Sequence, residues 1–95
     1  MSNFVLSFRS APDASASQAE NEEWGAWFRG LAGTVVDMGS RVGVVTMLGA
    51  STGASVLTGY CIIEADDLAT ALDIANGCPG LKYDGSVEVG ELIAM

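Results

Sequence analysis

The chain is short at 95 residues, 49% hydrophobic and only 17% charged, with 12 acids against four bases. A net charge of -8, with Arg9, Arg29, Arg41 and Lys82 scattered along the chain, argues against nucleic acid or an anionic membrane as partner, because both require clustered Lys and Arg. Histidine is absent, which removes the commonest general base near neutral pH and the commonest transition-metal ligand, so no metal and no cofactor is expected.

Residues 3–8 alternate, with Phe4, Leu6 and Phe8 on one side and Val5 and Ser7 on the other, which predicts a first strand. Residues 10–17, rich in Ser, Ala and Asp and containing Pro12, read as a loop. Ser17 and Glu20 have the spacing of a capping box, and Glu20, Glu22 and Glu23 suit the positive end of a helix. Trp24, Trp27, Phe28, Leu31, Val35 and Met38 then recur at helical spacing, which extends the first helix to a stop at Gly39. Gly25, Gly30 and Gly33 weaken that helix, each by up to about 1 kcal/mol relative to Ala.

The valine-rich run 41–48 predicts a second strand, 49–55 a small-residue loop, and 56–64 a third strand apolar on both faces, Tyr60 and Ile62 against Cys61 and Ile63. No charge falls between residues 42 and 63, and Gly49 and Gly53 form a Gly-x-x-x-Gly, the length and motif of a membrane span. The polar, turn-like middle and β-branched ends favour two strands instead. Asp66 is the expected cap of a second helix whose buried stripe is Leu68, Ala71, Leu72 and Ala75, ended by Gly77 and Pro79. Residues 86–93 alternate as a last strand.

The order β-α-β-β-α-β predicts an α+β fold in one domain over residues 1–95: a ferredoxin-like antiparallel sheet with both helices on one face. Strands apolar on both sides leave the other face to be covered, and the expected cover is a second copy, a homodimer through the sheet face. Val44 and Ile63 are candidates for the partner-facing side. Cys61 and Cys78 read as small buried hydrophobes of a reducing compartment, and residues 1–10 lack the pattern of a secretory leader, so the cytoplasm is expected.

The segment Thr58-Gly-Tyr-Cys-Ile-Ile-Glu-Ala-Asp-Asp-Leu68, then Gly77-Cys-Pro79 and Gly85-Ser-Val-Glu-Val89, resembles the YCII-related family. Trp24-Gly-Ala-Trp27 and Val36-Asp-Met-Gly39 look like a subgroup of it. The resemblance implies a dimeric α+β barrel, two ferredoxin-like sheets packed face to face. Some members of that family are thought to use a His–Asp pair, and a chlorinated-aromatic lyase is among its relatives. This chain has no histidine and lacks the Asp-Gly-Pro-Phe motif of many members, with 49–53 near its expected place, so the dyad does not carry over.

Three functional expectations follow. One is a dimeric barrel that binds a small apolar or aromatic molecule, with Trp24, Trp27, Arg41 and Tyr60 at the site. A second is a lyase or isomerase acting on a small aromatic or dicarbonyl compound. Its base would be Asp37, whose expected place at a helix C-terminus would raise its pKa. The third is an accessory module whose sheet pairs with a different protein. Against these stand plainer readings: core tryptophans, a surface Asp37–Arg41 pair, Tyr60 packing at the dimer interface, and Asp66 and Asp67 as caps rather than metal ligands.

Overall fold

The computed structural model describes residues 1–50 and 53–94. The strands are β1 (Ser2–Ser10), β2 (Val35–Arg41), β3 (Val56–Ala65) and β4 (Ser86–Glu91); the helices are α1 (Gln18–Gly30) and α2 (Leu68–Ala75), with a short 3₁₀ helix at Pro79–Tyr83. The sheet is antiparallel in the order β2-β3-β1-β4, the ferredoxin-like arrangement. Strand alternation sorts its residues. Phe4, Leu6 and Phe8 of β1 and Cys61, Ile63 and Ala65 of β3 are buried, and Ala71, Ala75 and Cys78 close over them with Trp24, Trp27, Phe28 and Ile74. Both helices therefore cover one face. Each large apolar side chain sealed there contributes about 1.5–3 kcal/mol.

The other face carries Val5, Ser7, Tyr60 and Ile62, paired across the sheet as Val5↔Ile62 and Ser7↔Tyr60. None of the four is buried. Ile63 thus belongs to the helix-covered core rather than to a partner-facing side, and Val44 lies outside the sheet, fully exposed.

The last strand stops at Glu91 rather than at 93, and the larger departures from expectation lie between α1 and β3. The helix expected to reach Gly39 stops at Gly30, where the Leu31 N–H closes the last turn onto the Trp27 and Phe28 carbonyls. Gly30 and Gly33 tax continuation, and Thr34, Val35 and Val36 are β-branched, so the chain turns and pairs with β3. The strand expected at 41–48 is consequently displaced to Val35–Arg41, and residues 42–50 form no regular element. By Arg41 the ladder has reached Gly59, and little of β3 is left to pair with a later run. Of the expected loop 49–55, residues 51 and 52 lie outside the described residues. Among the described residues no helix is long and apolar enough to cross a membrane.

The caps differ in detail. Ser17 Oγ accepts from the Glu20 N–H at 3.1 Å, but the Glu20 carboxylate does not complete the box; it accepts from Trp24 Nε1 at 3.0 Å. Asp67, not Asp66, caps α2, accepting from the Thr70 N–H at 2.8 Å and its hydroxyl at 2.7 Å. Those bonds hold the Asp67 carboxyl below the usual aspartate range. Pro79, expected only as a stop, opens the 3₁₀ helix.

Candidate functional site

β1 and β2 finish at the end of the sheet where β3 and β4 begin, as the antiparallel register requires. The loop before α1 and the 3₁₀ helix reach over this end. Between them lies a cleft of about 1230 Å³. Its apolar side is an aromatic cluster. The Phe8 ring lies 4.9 Å from Trp24 and 6.2 Å from Phe28 edge-on, and Trp24 and Phe28 stack at 5.9 Å. Such pairs add about 0.5–1.5 kcal/mol each beyond burial, which makes a stiff wall.

Gly59 opens the space beside that wall. It continues the inward row of Cys61 and Ile63, and pairs with Phe8 on one side and Arg41 on the other. A Cβ there would stand 3.1 Å from the Ser40 carbonyl oxygen and 3.9 Å from the Phe8 ring. Thr58 is the extra residue of a bulge against β1, its hydroxyl donating to the Phe8 carbonyl at 3.1 Å. Bulges of this kind bend a strand and re-aim the residues around it.

The edge strand β2 is bulged twice, between Val35 and Asp37 and again between Asp37 and Ser40. Gly39 makes the second bulge possible. Its φ is +66°, and a Cβ would overlap the Tyr60 carbonyl oxygen. The Asp37 carboxylate accepts from the Gly39 N–H at 2.8 Å and fixes the turn.

This backbone separates Asp37 from Arg41. Asp37 pairs with Ile62 and so belongs to the open face; Arg41 pairs with Gly59 and so belongs to the helix side. Asp37 is on a strand rather than at a helix C-terminus, and it does not line the cleft. The two form no ion pair, the only one among the described residues being Lys82 to Glu23 at 2.6 Å. Of the other expected site residues, Trp24 and Arg41 line the cleft. Tyr60 borders it from a position on the open face. Trp27 does not line it, and packs beside Phe8 at 5.9 Å and Trp24 at 5.7 Å.

Sequence reasoning missed Phe8 and Phe28 as wall residues, and missed Arg9, Lys82 and Tyr83 at the rim. Phe8 carried a signal, the alternation of β1 beside the small Gly59; Lys82 and Tyr83 carried none, because the 3₁₀ helix was not anticipated. Arg9 donates to Ser55 Oγ at 2.9 Å. Glu23 accepts from Lys82 and from the Tyr83 hydroxyl, which lowers its own pKa and raises that of Tyr83. Burial pushes the Cys61 thiol up to about 11 and Cys78 in the same direction, so neither is a ready nucleophile. No group of three or more His, Cys, Asp or Glu able to hold a metal ion occurs among the described residues.

Neither a comparison with models of protein families nor a search of curated proteins returns a match.

Proposed function

We propose that the chain is a homodimeric α+β barrel protein that holds a small ring-bearing molecule in the cleft at the end of each sheet. The observation that carries this reading is the cleft itself: a roomy space with a rigid wall of Phe8, Trp24 and Phe28 and a glycine at its floor. Small-molecule sites are concave, mostly apolar and edged by a few polar groups. The open face supports the dimer, since Val5, Tyr60 and Ile62 occupy its middle and, among the described residues, no helix packs there. The resemblance to the YCII-related family supports the same assembly. An Asp37-based lyase or isomerase gains no support, because Asp37 belongs to the face away from the cleft.

The test is a titration with 1-naphthol, an uncharged ring, followed by tryptophan fluorescence, with molar mass measured by sedimentation on the same sample. The expected result is a dimer mass and saturable quenching. Trp24→Phe should lose most of the signal, and Phe28→Ala should weaken binding several-fold. A monomer mass would refute the dimer. Absence of saturable binding would refute the ring site and leave the accessory protein-interaction module.

A further inference from the structure

The chain as a whole is strongly acidic, yet its cleft is not. Three of its four basic residues, Arg9, Arg41 and Lys82, line the cleft, with only two of its twelve acids, Glu20 and Asp84. A smaller groove of about 380 Å³ between α2, the 3₁₀ helix and β4 has Asp73 on its lining and no base.

The three bases are not equally available. Lys82 is paired with Glu23, and Arg9 is held by Ser55 through Nε and, at 3.4 Å, Nη2. Among the described residues the Arg41 guanidinium has no hydrogen-bond or ion-pair partner. Its register opposite Gly59 puts it on the same side of the sheet as Phe8. A planar cation with two parallel donors thus lines the same cleft as the aromatic wall, and the matching group is a planar carboxylate. With one unpaired guanidinium directed by this register, and two carboxylates in the same cleft, a monoanion fits the charge better than a dianion such as phosphate.

We infer, resting on the reading of the cleft as a ring-binding site, that its ligand is an aromatic monocarboxylate whose ring lies against Phe8, Trp24 and Phe28 and whose carboxylate is received by Arg41. The test compares 1-naphthoate with its uncharged counterpart 1-naphthamide by calorimetry, in low salt and at 0.5 M salt. A charged hydrogen bond of this kind is worth roughly tenfold or more in affinity. Naphthoate should bind about tenfold more tightly than naphthamide, and the preference should shrink in high salt. Arg41→Gln should abolish the preference, so that naphthoate and naphthamide bind alike. Arg29→Gln, a base on α1 that does not line the cleft, should preserve it. Equal affinity of the two probes in the unaltered protein would overturn the carboxylate inference and leave the ring site standing. So would a preference that survives in Arg41→Gln. Failure of both probes to bind would overturn the ring site and the inference with it.

Discussion

Gly39→Ala tests whether the bulge in β2 is a requirement of the fold or an ornament of an edge strand. Two costs add. A non-glycine residue at a φ of +66° costs about 1–2 kcal/mol from its own backbone sterics. A Cβ would also overlap the Tyr60 carbonyl oxygen and lie 2.6 Å from the carbonyl carbon, and neither atom can swing away, because both belong to the central strand β3. Relief requires β2 to lift from its ladder, so the total should exceed about 2 kcal/mol. In a domain of this size that lowers the melting temperature by roughly 8–16 °C. Gly49→Ala is the control: its φ is +81°, but nothing lies within 4 Å of the added carbon, so only the first cost applies. Thermal unfolding followed by circular dichroism should rank Gly39→Ala well below Gly49→Ala. Removing the bulge also shifts the pairing of everything after it, and a one-residue shift moves Arg41 to the opposite face. Naphthoate binding should therefore fall in the folded fraction of Gly39→Ala. Equal melting temperatures for the two variants would refute the overlap and the register built on it.

Ile62→Asp should yield a folded monomer by sedimentation and circular dichroism, because Ile62 stands on the open face; Ile63→Asp, wholly inside the core, should fail to fold. A dimer surviving Ile62→Asp would move the interface elsewhere. Neither Cys61 nor Cys78 should react with a thiol reagent at neutral pH until the protein is denatured, since both are buried with raised pKa values; rapid native labelling of either would contradict the packing. Glu23 and Asp67 have folded-state pKa values below their ordinary 4.5 and 3.8. Their stabilisation is present above those values and is lost as pH falls through the lower folded ones. Melting temperature should therefore decline below about pH 4.5, less steeply in Lys82→Met and Asp67→Ala, and an unchanged slope in both would show that these contacts do not form in solution.

The β1 alternation, the third strand, the place of α2 and the closing strand were legible from apolar runs bounded by turn residues. Of the expected α2 stripe, however, only Ala71 and Ala75 are buried, because Leu68 and Leu72 stand about half exposed beyond the edge of the core. The stretch from Leu31 to Met38 was not legible. Leu31, Val35 and Met38 satisfy helical spacing, while Thr34-Val35-Val36 equally suits a strand, and local pattern cannot arbitrate between them. The tertiary ladder decided, since β3 needed an edge partner. That choice moved Asp37 off a helix end and onto a face it does not share with Arg41, so the expected acid–base pair dissolved. A bulge adds a residue without marking the hydrophobic pattern, and only the Gly39 backbone records it. The cleft was half legible: Trp24 and Arg41 were named from sequence, whereas Phe8, Phe28 and Arg9 reach it through pairings that are distant along the chain.

The most direct test of the ring site is a map of amide and indole proton shifts on titrating the labelled protein with 1-naphthoate. The expected result is movement of the Trp24 indole N–H and of the Phe8, Gly59 and Arg41 amides, with Val5, Ile62 and Asp37 on the open face unmoved. Shifts confined to the open face, or to Leu72 and Leu81 at the smaller groove, would contradict it.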